Sequence, residues 1–461
     1  MKHEQLLLLC QRYHAILLAN EAEELNIAVV GTPAEELMDA LRFATQKHVD
    51  IICWDQQQMD KYLQQSSGKL PLTANDESDN AVDLLNNLFR QAFQQRASDI
   101  HFEPTEQALR VRLRVDGVLH ALPLLPHTLT ASLVARLKVL GDLDIAERRL
   151  PQDGQFSVRI DDVTLSFRLS TLPCRYGEKI VLRLLHNEEQ ALDLHQLGMS
   201  TQALTLFQSA LNQPQGLILV TGPTGSGKTV TLYSALQYRN RDEVNICSVE
   251  DPIEIPLVGL NQTQVNPKAG LTFQSILRSL LRQDPDIVMV GEIRDAETAE
   301  IAIKAAQTGH LVLSTLHTNS TVETLVRLEQ MGVARWMISS ALSVVVAQRL
   351  VRRLCPYCRQ QTENLQPLPA SLWPRPLPHW PPKGCDHCYH GYQGRLAIFE
   401  ILPINTALRQ IITQGLSSRE ILQHAQQQGM STLFENGCRA VEAGLTTQEE
   451  LLRVLGMPNH G

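Results

Sequence analysis

The stretch GLILVTGPTGSGKTVTL, residues 216–232, joins a short apolar run to a glycine-rich turn and then to a helical pattern. Its central residues match G-x-x-x-x-G-K-[ST] at every fixed position: Gly222, Pro223, Thr224, Gly225, Ser226, Gly227, Lys228 and Thr229. In such a loop the backbone N–H groups converge on phosphate oxygens, and the helix amino terminus favours negative charge. Lys228 is expected to reach the β- and γ-phosphates of ATP, and the Thr229 hydroxyl to ligate Mg²⁺.

Further strands follow this loop, and several of them end in polar residues. From Gly216 onward the apolar runs GLILV, NICSV, DIVMV and HLVLSTL alternate with helical stretches, which predicts a parallel sheet flanked by helices. Ligands of open α/β sheets bind beyond the carboxyl ends of the strands. The polar candidates that end or flank these runs are Glu250, Asp251, Glu254, Glu292, His310 and His317. For each histidine alone, a structural role and a catalytic role remain open.

Length and composition set the broad class of the protein. The 461 residues suggest two to four domains, and 43% hydrophobic with 20% charged residues is an ordinary globular mixture. No run of about 18 apolar residues occurs, so no membrane-spanning helix is expected. We interpret residues 1–20 as a helix of the mature protein and not as an export signal. The net charge of −8 argues against a general nucleic-acid binder, although a local basic patch remains possible.

Pattern changes along the chain divide it into five parts. Residues 66–80 are polar and without periodicity, which indicates a linker. The alternating ALRVRLRVDGVLHALP, residues 108–123, has a central Asp-Gly and predicts a hairpin. The predicted parts are a small N-terminal α/β domain (1–75), a middle α/β domain (80–190), a P-loop domain (197–350), a cysteine-containing segment (351–400) and a helical C-terminal region (401–461).

Nine cysteines are present, and four of them form two Cys-x-x-Cys pairs, CPYC at 355–358 and CDHC at 385–388. Two such pairs suit tetrahedral Zn²⁺ bound by Cys355, Cys358, Cys385 and Cys388. A redox-active cysteine pair is the alternative, but it would not explain why two Cys-x-x-Cys pairs, or knuckles, are present. Four thiolates leave no open coordination position, so we expect a structural zinc. Seven prolines within 361–383 predict an extended loop between the pairs.

The motifs together resemble the secretion ATPase superfamily, and most closely the assembly ATPases of type II secretion and type IV pili. The resemblance runs from about residue 80 to the carboxyl terminus. It rests on SDIHFEP…RLRVDG, ERRLPQDGQ, GPTGSGKT, VEDPIE, residues 270–319 and the closing GLTTQEELLRV. It implies an α/β fold in which a RecA-like P-loop motor domain follows a PAS-like middle domain and a small N-terminal domain, with a tetracysteine zinc segment and a helical tail.

The resemblance also implies roles for single residues. Glu292 occupies the Walker B position and helps to hold Mg²⁺ and water, while Glu254 matches the general base, with Glu250 in reserve. His310 and His317 match a His box that senses the γ-phosphate. Two arginines of the middle domain, Arg168 and Arg183, match those that reach the nucleotide. The remaining matches, expected in interfaces and ion pairs, are Arg278, Arg282 and Arg294.

The implied function is a cytoplasmic, hexameric ATPase that is peripheral on the inner membrane. It would work with an inner-membrane platform protein and an accessory protein of the cytoplasmic face to assemble pilin-like subunits, without nucleic acid. Retraction ATPases are similar but lack the tetracysteine insertion, so its presence favours assembly. Two rival functions stay open, a nucleic-acid translocase and a vestigial relative without activity. The short N-terminal part puts in doubt both cyclic di-GMP regulation and docking to the usual partner.

Overall fold

The computed structural model describes residues 15–20, 24–30, 48–54, 77–185, 192–415 and 417–457. The first three ranges form one small sheet with strands β1 (Ile16–Asn20), β2 (Glu24–Val30) and β3 (His48–Trp54). β1 pairs antiparallel and β3 parallel with β2, whose Leu25 and Ile27 are fully buried. The helix predicted over residues 1–20 is therefore wrong for 16–20, because backbone pairing with β2 overrides the local pattern. The rest of that helix, and most of the 66–80 linker, lie outside the described residues.

Residues 77–185, called here the middle lobe, form two helices that pack against one antiparallel sheet. The strand order is β6-β5-β4-β10-β9-β8, with β7 paired to β5. The elements are α1 (Glu77–Gln94), β4 (Ala97–Pro104), β5 (Ala108–Val115), β6 (Val118–Ala121), β7 (Leu125–Pro126), α2 (Leu129–Leu140), β8 (Gln152–Ile160), β9 (Val163–Cys174) and β10 (Gly177–Leu185). The hairpin predicted over 108–123 is confirmed as β5 and β6.

The two faces of the middle-lobe sheet differ sharply. One face is apolar because alternate residues of each strand point to it, and Phe89 of α1 packs on Phe167 with ring centroids 4.9 Å apart. The other face carries charges in register. Glu103 contacts Arg112 at 2.7 Å and Lys179 at 2.9 Å. These cross-strand pairs cover the polar face of β4, so its acids are buried although they lie away from the apolar core.

The motor lobe, formed by the elements from Thr201 to Leu354 together with β19, is built on a seven-stranded sheet. Its strand order is β13-β12-β14-β15-β11-β16-β19. All neighbours are parallel except β16 and β19, as the alternation of strands and helices predicts for the central part. Its elements are α3 (Thr201–Leu211), β11 (Gly216–Thr221), α4 (Lys228–Arg239), β12 (Ile246–Glu250), β13 (Asn261–Gln264), α5 (Phe273–Leu280), β14 (Ile287–Val290), α6 (Ala296–Gln307), β15 (Leu311–Leu316), α7 (Thr321–Gln330), α8 (Arg335–Ala341) and β16 (Leu342–Leu354).

The remaining chain returns to the motor lobe after the cysteine segment. Only two-residue strands, β17 (Leu365–Gln366) and β18 (Leu377–Pro378), interrupt the proline-rich loop, as its composition predicts. The last elements are β19 (Tyr392–Pro403), α9 (Thr406–Gln414), α10 (Ser418–Gln427), α11 (Leu433–Glu442) and α12 (Gln448–Leu455). The buried Glu400 of β19 accepts the backbone N–H groups of Thr321 and Leu433, and thereby joins α7 and α11 to the sheet. Among the described helices, none has the length and apolar character needed to cross a membrane.

Candidate active site

The phosphate loop lies between the buried strand β11 and the first residue of α4, Lys228. Its backbone needs glycine where the chain passes closest to β16. A Cβ on Gly222, which has φ of +152°, would lie 2.5 Å from the carbonyl oxygen of Gln348 and 2.5 Å from the hydroxyl of Ser226. That hydroxyl is buried and has no hydrogen-bond partner among the described residues. The loop is therefore tightly packed, with a buried hydroxyl that has no partner within the described chain, and such a hydroxyl could bind a phosphate oxygen.

Lys228 is held inside this cradle. Its Nζ donates to the carbonyl oxygens of Gly222 at 2.7 Å and Pro223 at 3.0 Å. Burial lowers its pKa to about 8, although the negative charge of Glu292 partly opposes the shift. The ammonium thus remains largely charged at neutral pH but is poorly solvated, and an anion with strong acceptor oxygens would be a better partner than water.

A cavity of about 1530 Å³ opens above the loop, between the motor lobe and the middle lobe. The phosphate loop and the ends of the neighbouring strands form one wall. The other wall comes from the strand ends and turns of the middle lobe, including Arg96, Ser98, Asp116, Val163 and Leu184. Asp116, in the turn of the β5–β6 hairpin, also accepts the backbone N–H of Gly394 at 3.0 Å and so ties the two walls together.

The acid that follows β14 lies in this cavity with two basic neighbours. Glu292 pairs with Arg294, and its other oxygen lies 3.5 Å from Nε2 of His317. Burial raises the pKa of Glu292, but the hydrogen bond and charge of Arg294 outweigh it and hold the pKa below its ordinary value. A carboxylate that stays ionised beside a phosphate cradle is a suitable ligand for Mg²⁺, directly or through water. Arg294 contacts Asp251 as well, at 3.8 Å.

The acids after β12 have different surroundings. Glu250 is buried and accepts hydrogen bonds from Tyr233, from Ser248 at 2.7 Å and from Gln262 at 3.0 Å. Glu254 is exposed and lines the cavity. Its carboxylate has no hydrogen-bond or ion-pair partner in the described part of the chain, so it can contact a water molecule or substrate in the cavity. Of these two acids, Glu250 has both carboxylate oxygens occupied, whereas the Glu254 carboxylate has no such partner among the described residues and could accept a proton.

Three other candidates do not line the cavity. Arg168 and Arg183 are paired across β9 and β10, and Arg183 contacts Asp99 at 3.0 Å. They lie behind the cavity rim, since Leu184 and Leu185 line it and Arg183 precedes them directly. His310 precedes β15 and contacts the carbonyl oxygen of Ala305 at 3.1 Å. His317 follows the same strand. The six residues of β15 therefore separate the two histidines by roughly 20 Å.

Residues 74–453 match the family model described as type II/IV secretion system protein. The chain belongs to this family. It is therefore a secretion ATPase with a mixed α/β fold, and hydrolysis of ATP is its reaction. The resemblance found in the sequence motifs is confirmed.

Two curated relatives show how far the similarity extends. The secretion ATPase is 61% identical over 461 residues to the protein transport protein HofB homolog of Escherichia coli (strain K12), with 100% of each chain covered. It is 42% identical over 479 aligned positions to the type IV pilus assembly ATPase PilB of Acinetobacter baylyi (strain ATCC 33305 / BD413 / ADP1). That alignment covers 97% of this chain and 83% of the relative.

A solved structure shares the fold. The crystal structure of the pilus retraction motor PilT with bound ADP aligns with a TM-score of 0.54 and 28% sequence identity. It covers 81% of this chain and 97% of that one. The similarity supports the mixed α/β fold.

The four cysteines of the secretion ATPase form one cluster, in which all sulfur atoms lie within 4.8 Å of one another. Cys355 is 3.8 Å from Cys385, and Cys388 is 3.7 Å from both Cys358 and Cys385. In tetrahedral zinc with Zn–S distances of about 2.3 Å, neighbouring sulfurs lie about 3.8 Å apart. The donor set and spacing therefore fit Zn²⁺ and correspond to the predicted knuckles.

Two cavity residues with clear structural roles were not singled out from the sequence. Gln348 of β16 accepts the Thr231 hydroxyl at 2.7 Å and borders the phosphate loop. Tyr233 of α4 joins the loop helix to the residues after β12. The position of Tyr233, five residues after Lys228 in the helix that lines the nucleotide site, is a signal that could have identified it. Gln348 has no such local signal, since its contact depends on the pairing of β16 with β11.

Proposed function

We propose that this secretion ATPase is the hexameric motor that powers assembly of pilin or pseudopilin filaments at the cytoplasmic face of the inner membrane. One observation carries the proposal: the cavity has the phosphate loop and the acids on one wall and a separate lobe of the same chain on the other. Hydrolysis in such a cavity changes what holds the lobes together, and thereby produces movement. The similarity to a pilus assembly ATPase supports filament assembly as the work that is coupled to it.

The chemistry assigns distinct tasks to the cavity residues. The loop from Gly222 to Gly227 binds the phosphates through backbone N–H groups, and Lys228 neutralises the β- and γ-phosphates. Thr229 and Glu292 would hold Mg²⁺, which supplies charge neutralisation at the phosphates. Glu254 receives the proton of the attacking water, because its carboxylate is the unpaired acid on this wall. His317 would respond to the γ-phosphate, and its contact with Glu292 at 3.5 Å supports this role.

Arg168, Arg183 and His310 do not line the cavity in this structure. Along β10, Arg183 lies one residue, roughly 3 Å, from the nearest cavity-lining residue, and along β9 Arg168 lies three residues, roughly 10 Å, from it. A modest rotation of the middle lobe would bring their charges to the terminal phosphate, where they would stabilise the transition state. His310, at the far end of β15, would relate the site to the neighbouring subunit or lobe and not contact the phosphate.

The cysteine cluster bears on the choice between assembly and retraction. A complete set of four thiol ligands is present, and we propose that it holds a structural zinc which stabilises the segment for docking to an inner-membrane platform protein. An accessory protein of the cytoplasmic face would complete the machine. In the N-terminal part, the described strands β1 to β3 form a separate three-stranded sheet.

The decisive experiment measures ATP hydrolysis by wild type and by Lys228→Ala, Glu292→Gln and Arg183→Ala. The first two variants should lose activity, and Arg183→Ala should reduce kcat by about a hundredfold with little change in KM. Arg159→Ala, an exposed middle-lobe arginine outside the cavity lining, is the matched control and should retain the wild-type rate. Equal rates in all variants would overturn the proposal.

The oligomeric state is tested separately. Sedimentation with a non-hydrolysable ATP analogue should show a hexamer, because a heterologous interface between copies must close into a ring. A strict monomer at high protein concentration would contradict the ring. Stimulation of hydrolysis by DNA would instead favour a nucleic-acid translocase.

A further inference from the structure

The hydroxyl of Tyr233 sits at the junction of two parts of the active site. The side chain belongs to α4, the helix that begins with Lys228, and is 1% exposed. Its hydroxyl donates a hydrogen bond to Oε2 of Glu250. It also accepts the backbone N–H of Glu254 at 3.3 Å and that of Ile255 at 3.4 Å. One oxygen atom therefore links the phosphate-loop helix to the segment that carries Glu254.

Glu250 serves as the fixed end of this arrangement. Its other oxygen, Oε1, accepts hydrogen bonds from Ser248 at 2.7 Å and Gln262 at 3.0 Å. Both carboxylate oxygens are thus occupied inside the protein, where the residue is 4% exposed. Gln262 also donates to the carbonyl oxygen of Ile255 at 3.1 Å. The backbone at Ile255 is consequently attached to Glu250 through two separate side chains.

Glu254 depends on that backbone for its position. The side chain lines the cavity, and within the described residues no hydrogen bond or ion pair holds its carboxylate. Its only described hydrogen bond is the one from its own N–H to Tyr233. A shift of the segment would move the carboxylate directly, because no side-chain contact could compensate for it. A misplacement of about 1 Å at a reacting group can cost up to about a hundredfold in rate.

We propose that Tyr233 is a positioning residue for hydrolysis: its hydroxyl, oriented by Glu250, fixes the backbone at 254–255 so that the Glu254 carboxylate faces the cavity. This inference rests on the proposed role of Glu254 as the proton acceptor. Burial, and then the hydrogen bond to Glu250, raise the pKa of Tyr233, so the hydroxyl keeps its proton and remains a donor to Glu250 across the working pH range.

The test compares Tyr233→Phe with wild type in steady-state ATP hydrolysis. The variant keeps the ring and its packing but loses the hydroxyl, so kcat should fall at least about tenfold while KM for ATP changes by less than about twofold. Tyr238→Phe is the matched control, because Tyr238 belongs to the same helix and, within the described chain, its hydroxyl hydrogen-bonds to the exposed Asn212, at 3.3 Å. It should retain the wild-type kcat. Thermal unfolding and ADP binding establish that both variants are folded.

A double variant identifies the path of the effect. The background for the double variant is Glu254→Gln, whose residual rate of hydrolysis has to exceed that of Lys228→Ala. Adding Tyr233→Phe to this background should cause no further loss of kcat. An additive loss would overturn the positioning role, since Tyr233 would then act independently of Glu254. A wild-type kcat in Tyr233→Phe would overturn it as well. By contrast, wild-type hydrolysis in Glu254→Gln would overturn the proposed role of Glu254, which separates the two failures.

Discussion

Replacing Lys228 with methionine should stabilise the nucleotide-free protein, although the same change removes nucleotide binding. Burial lowers the pKa of Lys228 from 10.5 to about 8. At about 1.4 kcal/mol per pH unit, this difference corresponds to about 3 kcal/mol of unfavourable free energy for the charged form. The two hydrogen bonds to Gly222 and Pro223, each worth about 1 kcal/mol, are lost in the variant. The net gain in the free energy of unfolding is therefore about 1 kcal/mol.

The pH dependence of this gain has a defined sign. The folded-state pKa of Lys228 is lower than the unfolded one, so the unfolded chain binds more protons between pH 8 and 10.5. Wild-type stability therefore rises with pH through that window, while the methionine variant has no such contribution. The advantage of Lys228→Met is complete below about pH 8 and should be close to zero by about pH 9, once the lost hydrogen bonds are included.

Thermal unfolding at pH 7 and pH 9.5, without nucleotide, measures both quantities. At pH 7 the transition of the motor lobe should rise by about 3 °C in Lys228→Met. A saturating ATP analogue with Mg²⁺ should raise the wild-type transition and leave the variant unchanged. Lys268→Met, at an exposed position, is the control for adding an apolar side chain. A variant no more stable than wild type at pH 7, or a gain that is the same at pH 9.5, would refute the reasoning.

Three further outcomes are expected. Because Lys138 is 0% exposed and contacts Glu178 at 2.6 Å, Glu178→Gln should lower the free energy of unfolding of the middle lobe by about 3–5 kcal/mol, measured by urea titration; a loss below about 1 kcal/mol would contradict a buried ion pair. Metal analysis should give about one zinc per wild-type chain and markedly less in Cys355→Ser, and equal contents would exclude this cluster as the zinc site. The affinity for a fluorescent ATP analogue should fall about tenfold between pH 7 and pH 9, as Lys228 loses its proton; a flat profile would indicate that Lys228 does not titrate in this range.

Features that depend on local pattern could be predicted from the sequence. The phosphate loop, the hairpin at 108–123 and the parallel strands β11, β12, β14 and β15 correspond to the predicted elements. Each of these is determined by residues close together in the chain, through glycine turns and apolar periodicity. The cysteine cluster was predictable for a related reason, since the spacing within each knuckle is local and metal coordination accounts for the pairing of the two knuckles.

Features that depend on distant pairing could not be predicted. The apolar run of β16 has no local signal that places it beside β11, and β19 joins the sheet antiparallel only after the cysteine segment. The link from Tyr233 to Glu250 likewise needs the three-dimensional contact between α4 and the end of β12.

Strand β19 passes several distant features of the molecule without a break. It begins four residues after the last zinc-ligand candidate, Cys388, contacts the middle-lobe hairpin at Gly394, borders the cavity at Arg395, and holds α7 and α11 through Glu400. β19 is paired with β16 along most of its length, with one irregularity near Tyr392. Gly394 and Glu400 lie six residues apart on it, roughly 20 Å, so we expect a tilt of the middle lobe to be transmitted along the strand to α7 and α11. Mechanical output from the nucleotide would then emerge far from the phosphates, on the helical side of the molecule.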